Sequence, residues 1–128
     1  MALSQTLRGR GAFEAVFARG RRTHAVHVRC IFVLKAGDGQ CLTVGFAVPK
    51  KAGNAVKRNR MKRLMREAYW REERAFADSL RRLHLSATMI FVFKPPQESP
   101  VTAIRFADVH RDISRLVGSI LASAQTPS

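Results

Sequence analysis

The chain has 128 residues, 46% of them hydrophobic, and its 23 basic residues outnumber 9 acidic ones to give a net charge of +14. This length suits a single domain, which we predict over residues 1–128 with an ordered core from about 8 to 122. The hydrophobic fraction excludes a disordered chain, and no apolar run is long enough to span a membrane. Two cysteines cannot form a disulfide framework, so we expect a reducing compartment, the cytoplasm. So many positive side chains repel one another and destabilise the folded chain unless a polyanion neutralises them. Nucleic acid is therefore the favoured partner, ahead of an anionic membrane surface.

A short helix is predicted near the start of the chain. Phe13, Val16 and Phe17 recur at helical spacing within residues 12–19, and Gly20 is a typical residue to end a helix. The two phenylalanines share a helix face, and two interpretations of them remain open. They are core residues, or they form a platform on which unpaired bases stack. The second interpretation suits the surrounding arginines, which are Arg8, Arg10, Arg19, Arg21 and Arg22.

The next segment predicts two strands. From Val26 to Lys35 every second residue is apolar, as in a strand with one buried face. A turn signal follows at residues 37–39, and a second apolar stretch runs from Leu42 to Val48. Because the two stretches flank a short turn, we predict a hairpin over residues 26–48.

The second half predicts two helices around one strand. A basic loop over residues 50–54, in which Asn54 is a suitable N-cap, leads into a helical pattern from residue 55 to about 76. Residues 88–93 form an apolar, β-rich stretch that predicts a buried strand, and a last helix is predicted from residue 100 to about 122. The order is therefore α-β-β-α-β-α. Helices cover one face of a small mixed sheet, with a βαβ unit joining the second and third strands.

The densest basic segment lies at the start of the second predicted helix. Six of the ten residues from Lys57 to Arg66 are basic, and Arg58, Lys62 and Arg66 recur at every fourth position, in one stripe. Like charges at this spacing repel one another, whereas ordinary solvated faces mix both signs. The stripe therefore indicates a surface that binds a polyanion, and the glycine-containing loop before the helix adds backbone donors for phosphate.

Catalytic and metal-binding interpretations are weak. His24, His27 and Cys30 are spaced by three, but on a strand this spacing points side chains to opposite faces, and no fourth zinc ligand lies close by. Asp108 and Asp112 lie one helical turn apart among arginines, which predicts a surface ladder of ion pairs. We predict no catalytic residue and no metal site in the polypeptide.

A specific signature lies between Val44 and Glu67, where the sequence reads VGFAVPKKAGNAVKRNRMKRLMRE. This run resembles the protein subunit of bacterial ribonuclease P, whose motif is Arg-Asn-Arg with a following basic pair and arginine, preceded by Lys-Lys and Gly-Asn-Ala-Val. LRGRGAFEAVFARG and FVFKPP are similar to the opening helix and last strand of that family. On this resemblance, the catalytic RNA is bound by Lys50, Lys51, Asn54, Lys57, Arg58, Asn59, Arg60, Lys62, Arg63 and Arg66.

The resemblance also implies a fold and a function. The fold is an α/β (α+β) two-layer sandwich, similar to a ribosomal-protein domain, with a left-handed βαβ crossover that the general preference for right-handed crossovers would not predict. The protein acts as an endoribonuclease only as a component of the ribonucleoprotein, with one protein per ribonuclease P RNA, and the RNA with Mg²⁺ cleaves precursor tRNA. A cleft between the first helix and the sheet holds the 5′ leader of that substrate, with contacts from Phe13, Phe17, Lys35, Arg19 and Arg21.

Two residues depart from the family pattern. Pro49 stands where serine is common, which stiffens the loop before the basic helix. Lys35 occupies a sheet position where some members have an aromatic residue, so a contact to a leader phosphate is expected there in place of stacking.

Two other functions compete with this one. A purely structural ribosomal or RNA-chaperone protein would carry a similar charge. A DNA-binding regulator would place the basic helix in the major groove, but the sequence supplies neither a second helix of a helix-turn-helix nor a dimer interface. Stimulation of precursor-tRNA cleavage separates the first alternative from a ribonuclease P subunit.

Overall fold

The computed structural model describes residues 4–37, 42–96 and 100–125. Within them the elements follow the order β1 (Ser4–Thr6), α1 (Arg10–Arg19), β2 (Arg21–His24), β3 (Val28–Ala36), β4 (Leu42–Ala47), α2 (Ala55–Arg82), β5 (Leu85–Phe93) and α3 (Phe106–Gln125). Two short 3-10 turns, Lys50–Ala52 and Val101–Ala103, precede α2 and α3. None of the helices in these ranges is long and apolar enough to cross a membrane.

The strands form one mixed sheet in the order β1-β4-β5-β3-β2. β4 pairs with β5 and with β1 in parallel, whereas β3 is antiparallel to both β5 and β2. Because α2 connects the parallel neighbours β4 and β5, the predicted βαβ unit is confirmed. The mixed α/β class is confirmed as well, and the hand of the crossover stays a prediction.

The predicted hairpin over residues 26–48 is wrong. β3 and β4 are consecutive in the chain, but β5 lies between them and pairs with both. The physical reason is burial. Most residues of β5 are buried, including its last five. A strand in the centre of the sheet is covered on both faces, so this position suits the most apolar strand.

The boundaries differ from the predicted ones in three places. β1 and β2 were not predicted, because SQT and RRTH are too short and polar to show a strand period, and β1 lies before the expected start of the ordered core at residue 8. α2 continues to Arg82, past the predicted end near 76, because buried Ala77 and Leu80 extend its apolar stripe. α3 begins at Phe106 instead of residue 100, since Val101–Ala103 form a separate turn. Residues 38–41 and 97–99, which include parts of the predicted turn and helix start, lie outside the described residues.

The two faces of the sheet are covered unequally. α2 and α3 pack on one face, which we call the covered face, and bury the large cluster that includes Phe32, Tyr69, Phe91 and Ile113. α1 packs on the other face, called the open face, over a small cluster that lies around Val16, Ile31, Ile90 and Val92. A helix of 10 residues is about 15 Å long, whereas five strands span about 19 Å across, so α1 covers only part of the open face.

Candidate nucleic-acid interface

Phe13 packs on β4 at a position where glycine is needed. A Cβ atom built on Gly45 would lie only 2.7 Å from Cζ of Phe13, well inside ordinary contact distance. Gly45 is paired with Ile90 in the middle of the sheet, so the ring lies against the backbone of β4 on the open face. This close approach fixes the start of α1 relative to β4 and leaves Phe13 half-buried.

A cavity of about 480 Å³ opens beside this contact. It lies between the start of α1, the outer edge of β4 and the basic part of α2, at a point where β1 reaches only as far as Val44. Three of its side chains are cationic, three are aromatic and none is acidic. The cavity therefore combines positive charge with aromatic rings, the combination that binds unpaired nucleotides. Its lining residues are Ser4, Thr6, Leu7, Arg8, Phe13, Val44, Gly45, Phe46, Lys62, Arg66 and Trp70.

The start of α2 is set by two residues. Gly53 has a φ of 139°, a backbone conformation that favours glycine, and it redirects the chain after the 3-10 turn. The side chain of Asn54 then accepts a hydrogen bond from the N–H of Lys57 at 3.0 Å. The predicted N-cap is thus confirmed, and it fixes the first turn of the helix that carries the basic residues.

The helical period places one part of the basic stripe in the cavity. Lys62 and Arg66 line it, and Trp70 follows at the same interval, so three consecutive turns of α2 form this wall. Among the described residues, no basic side chain from Lys57 to Arg66 forms an ion pair. The charge on this face is therefore left for a partner. Arg66 is exposed and Lys62 is half-buried, and the remaining exposed residues of the predicted set are Lys50, Lys51, Asn54, Lys57, Asn59 and Arg63.

Two arginines of the Arg-Asn-Arg sequence have different environments. Arg58 is half-buried, and its Nε is enclosed without a hydrogen-bond partner among the described residues. Arg60 points to the opposite flank of α2, where its guanidinium donates to the carbonyl of Ile104 at 3.0 Å. Because Ile104 precedes α3, Arg60 holds the two helices together. Removal of this side chain should therefore lower the stability of the fold.

A buried tyrosine contacts two of the residues that line the cavity. The hydroxyl of Tyr69 forms a 2.6 Å hydrogen bond with Ser4, so it ties β1 to α2. The ring is fully buried against Phe46 and Phe91. Burial raises the pKa of Tyr69 above its usual value, and the hydrogen bond to Ser4 offsets only part of that effect. Tyr69 is thus a neutral structural group that shapes the cavity.

The comparison with protein families shows to which family the chain belongs. The Ribonuclease P family model matches residues 1–120. The chain belongs to this family. A ribonuclease P protein component from Syntrophus aciditrophicus is 31% identical over 114 residues, which cover 89% of this chain and 85% of the relative. The protein component from Desulfovibrio desulfuricans is 44% identical over 63 residues, so the chain spans about half of that relative, 48% of its length.

Solved structures agree with this assignment of the fold. The RNase P protein from Thermotoga maritima matches with a TM-score of 0.71 at 20% identity, covering 90% of this chain and 96% of that one. The RNase P protein from Staphylococcus aureus matches with a TM-score of 0.68 at 16% identity, over 94% of this chain and 96% of that one. At these identities the likeness shows the fold alone, and the predicted α/β sandwich of the ribonuclease P family is confirmed.

Only one of the predicted leader contacts lines the cavity. Phe13 and Phe17 both pack against the small cluster beneath α1, but of the two only Phe13 also lines the cavity. Arg21 lies over the ring of Phe32 at 5.6 Å, and since Phe32 belongs to the large cluster, Arg21 is on the covered face. Arg19 is exposed at the end of α1, and Lys35 is exposed near the end of β3. The structure therefore does not bring these five residues into one site.

A second basic cavity lies at the ends of β4 and β5. Its volume is about 450 Å³, and it is lined by the cations Arg29, Lys51 and Lys94, together with His24 and neighbouring apolar residues. Pro49, which we expect to stiffen the loop, lines it as well. Lys51 is thus separated from the cavity that contains Lys62 and Arg66.

The acidic and sulfur-containing residues have structural roles. Asp112 is fully buried and accepts a hydrogen bond from the N–H of His27 at 2.6 Å, so its predicted place in a surface ladder is wrong. Asp108 does pair with Arg111, at 3.5 Å. Cys30 is buried, and burial raises the pKa of its thiol. Over residues 4–37, 42–96 and 100–125, no group of three or more His, Cys, Asp or Glu side chains comes together.

Two aromatic residues of the cavity were missed by the sequence analysis. Trp70 continues the interval of Arg58, Lys62 and Arg66 by one more turn, and this extension of the stripe was a usable signal. Phe46 had no such signal, because its place at the cavity depends on where β4 lies in the sheet.

Proposed function

We propose that the chain is the protein subunit of ribonuclease P and promotes removal of the 5′ leader from precursor tRNA. The basic face of α2 binds the ribonuclease P RNA, and the cavity beside Phe13 binds the leader. One observation carries the proposal: Phe13, taken from the sequence as a leader contact, shares a cavity with Lys62 and Arg66, taken as contacts to the catalytic RNA. Both RNAs would meet at this place.

The physical argument rests on the chemistry of unpaired RNA. A single strand presents phosphates at its backbone and the flat faces of its bases, and cations with aromatic rings bind these two parts together. The cavity is much too small for a duplex, so it selects an unpaired segment such as a leader. Phosphate contacts fix the position of a strand without reading its sequence, which suits a protein that must accept many precursor tRNAs.

The chemistry of cleavage belongs to the RNA in this proposal. Mg²⁺ bound mainly by the RNA would activate water and stabilise the developing charge on the phosphate. The described part of the chain gathers no set of carboxylates that fits such an ion, so no step is assigned to a protein-bound metal. The side chains of the protein bind and orient the strand. One protein per RNA and a cytoplasmic location complete the proposal.

The test is reconstitution with ribonuclease P RNA at low Mg²⁺ and an assay of precursor-tRNA cleavage. We expect the wild-type chain to stimulate cleavage and Lys62→Ala/Arg66→Ala to stimulate it much less. Arg82→Ala/Arg115→Ala is the matched control for two lost charges, because both arginines are exposed and neither lines the cavity. RNA binding without stimulation by the wild-type chain would favour the structural RNA-binding alternative and overturn the proposal.

A further inference from the structure

Trp70 is an aromatic side chain that nothing in the fold requires. It is the one tryptophan of the sequence, and 56% of its surface is exposed. Among the described residues its indole stacks on no ring and lies over no guanidinium, unlike Phe46 and Phe106. An indole that is more than half exposed leaves a large apolar surface in contact with solvent, and such surfaces typically mark binding sites.

The surroundings of Trp70 define the chemistry of its partner. It lines the cavity with Lys62 and Arg66, which precede it on α2 by two turns and one turn, and Phe13 and Arg8 form the opposite side. The lining contains no acidic residue. A flat apolar ring bordered by cations fits a flat group attached to an anion, and a nucleotide is such a group.

We propose that the indole of Trp70 is a stacking platform for an unpaired base of the precursor-tRNA leader, at the place where the leader meets the catalytic RNA bound by Arg66 and Lys62. This inference rests on the proposed function. The leader is favoured over the catalytic RNA because the indole faces the same recess as Phe13, and a recess of about 480 Å³ has no room for a folded RNA helix. Stacking accepts every base, so Trp70 adds leader affinity without sequence preference.

The first measurement uses Trp70 as its own reporter. Because the chain has one tryptophan, its fluorescence reports this site alone. In the complex with ribonuclease P RNA, we expect precursor tRNA with a leader of several nucleotides to quench the emission. Mature tRNA, which has no leader, should leave it unchanged. If the catalytic RNA alone quenches fully, or if no RNA quenches, the leader assignment is overturned.

The second measurement compares Trp70→Leu with Trp70→Phe. Trp70→Leu should weaken binding of the long-leader precursor roughly tenfold, as expected for one lost base–aromatic stack, and Trp70→Phe should retain part of the affinity. Both should bind mature tRNA and ribonuclease P RNA as the wild type does. Equal affinities of Trp70→Leu and wild type for the long-leader precursor would overturn the proposal.

A leader with one abasic nucleotide identifies the stack itself. At the position that contacts Trp70, loss of the base should weaken binding by wild type but cause no further loss in Trp70→Leu. Independent losses at every position would mean that Trp70 contacts no leader base. If the proposed function is wrong, the wild-type chain does not stimulate cleavage at all. If it is right, the wild type stimulates cleavage and Trp70→Leu should lower that stimulation only for long leaders.

Discussion

The covered and open faces are two sides of the same strands, but their side chains differ in how completely they are packed. On the covered face, α2 and α3 bury nearly every apolar side chain, including Phe91 and Ile113, which are 0% exposed. On the open face, the fully packed part is confined to the few residues beneath α1, and Phe13 remains half-buried. The covered face supplies most of the hydrophobic stabilisation, because that stabilisation follows the apolar area removed from water.

The contrast explains where binding residues can lie. Side chains in the large cluster are already committed to packing, so replacing them changes stability first. Side chains around the outer edge of β4, between the start of α1 on the open face and α2 on the covered face, keep partly exposed rings, and their cations form no ion pair among the described residues. The candidate binding site therefore lies at the edge of the sheet, outside the core.

The largest expected effect comes from the covered face. Phe91→Ala removes a ring that stacks on Phe46 at 5.9 Å and contacts Tyr69, and it should lower the free energy of unfolding by about 3–5 kcal/mol. Urea denaturation followed by circular dichroism measures this loss. A loss below that of Phe13→Ala would contradict the assignment of the two faces.

The open face should respond in binding more than in stability. Phe13→Ala is expected to cost about 1–3 kcal/mol of affinity for precursor tRNA with a leader of several nucleotides, because a stacked base loses its platform. The loss should vanish when the leader is cut to a single nucleotide. Phe17→Ala is the control, since Phe17 packs on the same small cluster as Phe13 but does not line the cavity, and it should affect stability alone. A dependence of binding on leader length in Phe17→Ala would contradict this separation of Phe13 as a leader contact from Phe17 as a packing residue.

Alkaline pH should destabilise the covered face. Burial raises the pKa values of Cys30 and Tyr69, so above their ordinary values of 9.0 and 10.0 the unfolded chain releases protons that the folded chain keeps. The free energy of unfolding should therefore fall as pH rises through 9 and 10, by at most ~1.4 kcal/mol per pH unit for each group. Cys30→Ala should remove the part of the slope that begins near pH 9. A flat profile to pH 11 would contradict the burial of both groups.

The smallest expected effect is a difference between Lys62 and Arg60, two basic residues of α2. Lys62→Ala should reduce the slope of log K against log salt for RNA binding by about 0.7–0.9, the value for one phosphate contact, with unchanged stability. Arg60→Ala should lower stability as well, because it leaves the carbonyl of Ile104 without its donor. Equal melting temperatures for both variants would show that the bond to Ile104 contributes little.

The local features of the fold were predictable because they repeat along the chain. Helical spacing and the Asn54 cap predicted the start of α2, which the structure confirms. The basic stripe predicts that this helix binds a polyanion, and that stays a prediction. The motif around Arg58 and Arg60 predicted the family, which the match over residues 1–120 confirms. β1 and β2 were not predictable, since they are held by their neighbours in the sheet and not by their own apolar pattern.

The sequence by itself determined the presence of the three helices, the class of fold, the family and a basic segment that favours a polyanion, because each of these depends on residues near one another in the chain. Only the tertiary structure decided that β5 lies between β3 and β4, and that Phe13, Lys62 and Trp70 share one cavity. Strand order follows from burial of the most apolar strand on two faces, which is a property of the whole sheet. The cavity follows in turn from that order, because the pairing of β4 sets the distance between α1 and α2.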